Sequence, residues 1–366
     1  MSGRRRPTSI DLSLGEPALP PEPELLERAF ARLKSGPQGY TMNAGMPELR
    51  EAIARHHALV GRAGAAHVIV TVGSEEAVFL ALTTLLEAGD EVLIPEPGYP
   101  AYRGIARLLG ATPVSYAIRR ETGLVPRAEA IARVLTPKAR VLVLNGPSNP
   151  FGTIDDADEL AKIAALARQH DVAVVSDEIY RDLYYRAAPP PSITTLHDEA
   201  ILIGGLSKSC AMTGLRLGYL VAPADLVKKA TLAHQLMVTC APRLAQLMAL
   251  DVFEHPEHLR AHVPFYARAR EAIEAARPAL PAEAPLHLGE GAFYAVLDVS
   301  RFAGGDPLRL ALELLDEEDV VAVPGIAFGP AGDWFFRLSY AAGADAIREG
   351  LARVTRFLGT RIDRAR

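Results

Sequence analysis

Between residues 67 and 221, seven short apolar runs alternate with amphipathic segments, and this alternation limits the possible folds more than any other feature of the sequence. Strands are expected at 67–72, 91–94, 112–118, 140–144, 172–176, 200–203 and 217–221, with helices at 75–87, 100–109 and 155–170. The runs are rich in Val, Ile and Leu, as strands covered on both faces must be. Strands alternating with helices predict an α/β fold: a mostly parallel seven-stranded sheet flanked by helices. After Pro223 the pattern changes. Helices are expected at 225–253, 256–277, 307–317 and 345–358, and strands at 292–298, near 320–323 and at 334–339. That is a smaller α+β domain. A large domain over 31–255 and a small one from 1–30 and 256–366 suit a chain of 366 residues.

In an open α/β sheet, ligands gather beyond the carboxyl ends of the strands. The residues at those ends therefore carry the chemistry. Gly73, Ser74 and Glu75 open a helix after the first run, where free N–H groups and the helix dipole favour an anion. Tyr99 follows the second run. The loop "NGPSNPFGT" after the fourth carries Asn149, and "SDEIY" after the fifth carries Asp177 and Tyr180. Ser207 and Lys208 follow the sixth, with Arg216 eight residues on. The neighbours of Lys208 are Gly, Ser, Cys, Ala, Met and Thr, none of which helps to solvate a cation. Lysine is almost never fully buried unpaired, and burial lowers its pKa until the amine is nucleophilic.

Each residue alone has an ordinary structural explanation. Asp177 suits a helix cap, Asn149 a turn before Pro150, and Tyr180 a core. Together they place an amine, a carboxylate, an arginine, a helix N-terminus and an aromatic ring at one sheet edge. That set matches a cofactor with an aldehyde, a basic ring nitrogen, a phosphate and a flat π-face. Pyridoxal 5'-phosphate has all four.

Ten blocks extend the pattern: "LSLGEP" (12–17), "GYTMNAGMPELREAIA" (39–54), "TVGSEEA" (71–77), "PGYPAY" (97–102), "NGPSNPFGT" (145–153), "SDEIY" (176–180), "SKSCAMTGLRLGY" (207–219), "GAFY" (291–294), "VPGIAFG" (323–329) and "FRLSYA" (336–341). In these the sequence resembles the class I/II aminotransferases of pyridoxal-phosphate fold type I, over nearly its whole length. The resemblance implies that Lys208 is the Schiff-base lysine and proton shuttle. It implies that Asp177 pairs with the pyridinium nitrogen, that Tyr180 and Asn149 hydrogen-bond the 3-hydroxyl oxygen, and that Tyr99 stacks on the ring. Gly73, Ser74, Glu75, Arg216 and Ser207 would surround the phosphate. Tyr40 would reach the phosphate of a neighbouring subunit, which implies a homodimer with shared active sites. Arg337 would grip the substrate carboxylate, with Asn149 and the Gly15 backbone beside it. The implied activity is ping-pong transfer of an amino group between an L-amino acid and a 2-oxo acid such as 2-oxoglutarate or pyruvate.

Three positions depart from the family pattern. Gly205 stands where relatives often have Ser or Thr, so one phosphate donor is expected to be missing. Glu75 stands where some aspartate-specific relatives have a lysine, which favours neutral or aromatic donors. "LSLGEP" begins at residue 12, where relatives usually have an extra helix before it. Two other outcomes share parts of the pattern. A C–S lyase or cyclase would use every cofactor residue. A cofactor-sensing transcription regulator would need a DNA-binding domain, for which the segment before residue 12 leaves no room.

Composition excludes other classes. A net charge of −5 gives no footprint for nucleic acid or an anionic membrane. The run Arg4-Arg5-Arg6 reads as a solvated tail. Two cysteines, Cys210 and Cys240, make neither a disulfide framework nor a metal-type spacing. The histidines of "HPEH" (255–258) have no evident third ligand, so no metal site is expected. No secretory leader is apparent, and a cytoplasmic location follows from the cysteine usage.

Overall fold

The structure, a computed structural model, describes residues 6–59, 61, 62 and 64–365. Arg4 and Arg5 of the expected tail lie outside the described residues. The chain opens with strand β1 (Ile10–Asp11) and helices α1 (Pro23–Ser35) and α2 (Pro47–His57). The seven apolar runs form β2 (Val68–Thr71), β3 (Glu91–Glu96), β4 (Thr112–Ala117), β5 (Ala139–Asn145), β6 (Ala173–Asp177), β7 (Ile201–Gly205) and β8 (Gly218–Val221). Between them run α3 (Ser74–Leu85), α4 (Pro100–Leu108), α5 (Ala128–Ala132) and α6 (Ala157–Gln169). Then come α7 (Ala224–Val238), α8 (Arg243–Glu254), α9 (Val263–Ala276), β9 (Leu286–Leu288), β10 (Tyr294–Asp298), α10 (Ser300–Ala303) and α11 (Pro307–Glu318). The chain closes with β11 (Val320–Val321), β12 (Val323–Pro324), β13 (Phe335–Ser339) and α12 (Ala344–Ala365).

The large sheet has the order β2-β8-β7-β6-β5-β3-β4. All its pairs are parallel except those made by β8, which runs antiparallel to β2 and β7. The expected mostly parallel, seven-stranded α/β sheet is therefore present. Alternate residues face opposite layers. Ile201 and Ile203 pack with α3 and α7, while Leu202 packs on the other face with residues of α1, α2 and α8. The smaller sheet, β12-β13-β10-β9, is antiparallel, and β1 pairs in parallel with β11.

Several expected elements have different bounds. The helix expected at 225–253 is two helices. Thr239 adopts φ +67°, and α8 starts directly after Pro242, whose ring cannot continue a helix from α7. The helix expected at 256–277 begins as a 3-10 turn, Pro256–Arg260, before α9. Helix α1 buries Leu25 and Ala29 in the same cluster as α8, so the expected division between residues 30 and 31 falls inside one helix. Among the described residues, no helix is long and apolar enough to cross a membrane.

Candidate active site

A cavity of about 450 Å³ lies at the carboxyl edge of the large sheet, within the size range of small-molecule sites. It is built from strand ends. Asp177 is the last residue of β6, and its side chain is buried. Its Oδ2 accepts from the Tyr102 hydroxyl at 2.6 Å and its Oδ1 from the Ile179 N–H at 3.2 Å. Burial raises the carboxyl from 3.8 to about 6, against the lowering effect of those two hydrogen bonds. Lys208 lies three residues beyond β7, and its Nζ donates to the Gly15 carbonyl at 2.8 Å. Burial lowers the amine's pKa. Arg216 and Arg337 lower it further, while Glu16 and Asp177 oppose the shift.

Asn145 closes β5. It accepts from the Asn149 N–H at 2.8 Å and donates to the Asp177 carbonyl at 3.0 Å, so it ties two loops together. The Asn149 Oδ1 accepts from Arg337 Nη1 at 3.1 Å. Arg337 stands in β13, donates through Nη2 to the Ser13 carbonyl, and lies 4.5 Å from the centre of the Tyr294 ring. Its Nε is buried and without a hydrogen-bond partner. The Tyr180 and Tyr294 hydroxyls are 2.6 Å apart.

The other side of the cavity is the start of α3. Gly73 has φ +84°, and a Cβ there would sit 2.5 Å from Arg216 Nη2. The positive φ favours glycine, and a Cβ would in addition push the end of the Arg216 side chain aside. The first N–H groups of a helix have no intrahelical acceptor, so this end attracts an anion, and the Arg216 guanidinium packs against it. Tyr99 caps α4, and its ring meets that of Tyr102 edge-on at 5.5 Å.

The cavity thus gathers Gly15, Ser74, Glu75, Tyr99, Asn149, Asp177, Tyr180, Ser207, Lys208, Arg216 and Arg337. Tyr40 is not among them: it is 84% exposed on the surface of the chain. Gly205 is buried, with the side chain of Ile179 3.0 Å and the Leu217 carbonyl 3.1 Å from where a Cβ would lie. A serine would be tight there. Tyr102, Asn145, Tyr294 and Glu16 also line the cavity without having been expected to. The signal was present for Tyr102, which is three residues after Tyr99 and so lies on the same side of α4. Asn145 and Tyr294 stood inside recognised blocks but had no partner that sequence could reveal.

This sheet, with a half-buried lysine and a buried carboxylate at one edge, is the fold of pyridoxal-phosphate-dependent transferases. The family model described as "Aminotransferase class I and II" matches residues 7–354. The chain is 34% identical over 358 residues to the aspartate/prephenate aminotransferase of Thermus thermophilus, covering 96% of this chain and 91% of that one. It is 35% identical to the valine–pyruvate aminotransferase of Mycobacterium tuberculosis, covering 95% and 91%. The solved aromatic aminotransferase of Pyrococcus horikoshii superposes with a TM-score of 0.91 at 30% identity, covering 96% of both chains. The chain belongs to the class I and II aminotransferases. It is an aminotransferase, and enzymes of this family and fold use pyridoxal 5'-phosphate.

Proposed function

We propose that this cavity holds pyridoxal phosphate on Lys208 and moves amino groups between a neutral or aromatic L-amino acid and a 2-oxo acid such as 2-oxoglutarate or pyruvate. The observation that carries the reading is the half-buried Lys208 amine, with Asp177 and two arginines around the same cavity. The residues suit the cofactor. Asp177 offers a buried carboxylate to the ring nitrogen, Tyr99 a ring face, and Tyr180 and Asn149 polar atoms to the ring oxygen. Ser74, Glu75 through its N–H, Ser207 and Arg216 offer donors to the phosphate, beside the close approach that Gly73 permits. The unpartnered Nε of Arg337 leaves that guanidinium able to take a carboxylate in a two-point contact.

When bound, the cofactor supplies an aldehyde for the amine and a conjugated ring that accepts the electron pair released at the substrate Cα. The protein supplies the rest. Arg337 and Asn149 hold the substrate carboxylate, with the Gly15 backbone closing on it, and so fix the direction of the Cα–H bond. Lys208 Nζ, kept short of its ordinary basicity by burial, would take the Cα proton and deliver it to the carbon that had been the cofactor's aldehyde. Asp177 stays ionised opposite a cationic ring nitrogen.

We also infer a cytosolic homodimer in which Tyr40 completes the partner's site. Its exposure outside its own chain's cavity and the two free cysteines support this.

The test has two arms. Lys208→Ala abolishes turnover and changes the visible absorbance of the bound cofactor; full activity in that variant would remove the assignment. In the native enzyme, kcat/KM for aspartate is about five- to tenfold below that for alanine or phenylalanine, because Glu75 lines the cavity near water-like screening. Glu75→Gln narrows the gap. An unchanged ranking refutes the charge argument.

A further inference from the structure

Helix α7 contributes a histidine that the transamination scheme does not use. His234 is completely buried, and its Nδ1 lies 3.0 Å from Glu76 Oε1. A carboxylate oxygen only accepts, so Nδ1 carries the proton and His234 is the donor. The second oxygen of Glu76, Oε2, accepts from the Val72 N–H. The Glu76 side chain is itself 8% exposed, so both of its oxygens are taken by partners in a buried setting. One residue earlier, the Thr71 hydroxyl donates to the Gly73 carbonyl at 2.9 Å. The turn 72–74 is therefore held at its N–H by Glu76 and at its carbonyl by Thr71.

That turn is what the proposed phosphate site is made of. Gly73 and Ser74 lead into α3, and Arg216 lies against Gly73. A glutamate at the third helical position commonly reaches back to the N-terminal N–H groups, but an unrestrained Glu side chain has several rotamers. His234 fixes one of them. The Nε2 of His234 has no partner. Burying a polar ring nitrogen without a hydrogen bond is unfavourable. A leucine or phenylalanine would fill the same space without that penalty. It would, however, leave the buried Oε1 of Glu76 without its hydrogen-bond partner, so the histidine's place here is tied to Glu76.

We propose that His234 is a positioning residue for the cofactor phosphate, acting through Glu76 on the 72–74 turn. This rests on the reading that the start of α3 and Arg216 receive the phosphate.

The test compares binding of pyridoxal phosphate with binding of pyridoxal, which lacks the phosphate, to the cofactor-free protein, followed by absorbance. His234→Leu is expected to weaken pyridoxal phosphate about tenfold and to leave pyridoxal within about twofold. His234→Gln, whose amide can donate to Glu76, restores most of the difference. Should His234→Leu fail to fold, Glu76→Ala gives the same selective loss. Equal loss for both ligands means a purely structural histidine and overturns the inference. Arg216→Gln serves as the reference. If it shows no phosphate-selective loss, the phosphate reading itself fails. If it does and neither His234→Leu nor Glu76→Ala follows it, only the role of His234 fails.

Discussion

Asp177 is pulled in opposite directions by burial and by its future partner. In the cofactor-free protein its carboxyl is raised from 3.8 to about 6, chiefly by desolvation. The folded state therefore keeps a proton that the unfolded chain releases between about pH 4 and 6. Stability is highest below that window, falls as pH rises through it, and stays reduced above it. Asp177→Asn should raise the melting midpoint of the cofactor-free protein at pH 7.5 and change it little near pH 4. With cofactor bound the sign reverses, because a ring cation then offsets the buried charge. Calorimetry of both forms at both pH values checks this, and a lower midpoint for cofactor-free Asp177→Asn at pH 7.5 would contradict it. The strand-end residues were legible in sequence because a strand followed by a loop announces its own carboxyl end. Tyr294 was not, because its hydroxyl meets that of Tyr180 across 114 residues, and for Tyr102 only its side of α4 was legible, not its bond to Asp177 75 residues away.

At the scale of elements, the proposed phosphate side of the cavity depends on how closely β8 approaches the start of α3. A Cβ on Gly218 would lie 2.3 Å from the Ser74 backbone nitrogen and 2.4 Å from the Gly73 carbonyl carbon. Both are main-chain atoms, so no side-chain rotation relieves the clash. Gly218→Ala should displace the 73–74 turn, weaken cofactor binding about tenfold or more and lower the melting midpoint. A dialysis measurement showing native cofactor retention would refute it. The large sheet was readable because buried parallel strands are near-continuous apolar runs. The single-helix reading of 225–253 failed for a specific reason. The apolar periodicity continues on both sides of Thr239, and only Pro242 marked the break. Short β9 carried too few residues to show a period.

At the scale of the molecule, several strongly exposed apolar side chains lie on two neighbouring segments. Leu232, Leu236 and Met237 lie on α7 with 65%, 88% and 48% exposure, and Tyr40 and Met42 with 84% and 59%. The two groups adjoin: the Asn43 amide donates to the Thr239 carbonyl at 2.8 Å, and Arg243 binds the Gly39 and Tyr40 carbonyls. We take these segments as one face of the proposed homodimer, since exposed apolar groups on adjoining segments suit an interface. Leu236→Glu is expected to halve the sedimenting mass and to reduce activity in parallel, since Tyr40 would lose the site it completes. A fully active monomer would exclude the shared-site dimer.

Residues 10–15 join β1 to the rim of the cavity. Ile10 and Asp11 pair with Val320 and Val321, the Leu12 carbonyl accepts from the Ser339 N–H at 2.7 Å, and the Ser13 carbonyl accepts from Arg337. Residues 10–15 thus find their partners among residues 320–339. A nascent chain halted at residue 300 already contains Lys208, Asp177 and Arg216, yet lacks the strands that seat residues 10–15. The carboxylate grip proposed for Arg337 can therefore form only in a chain that includes β13.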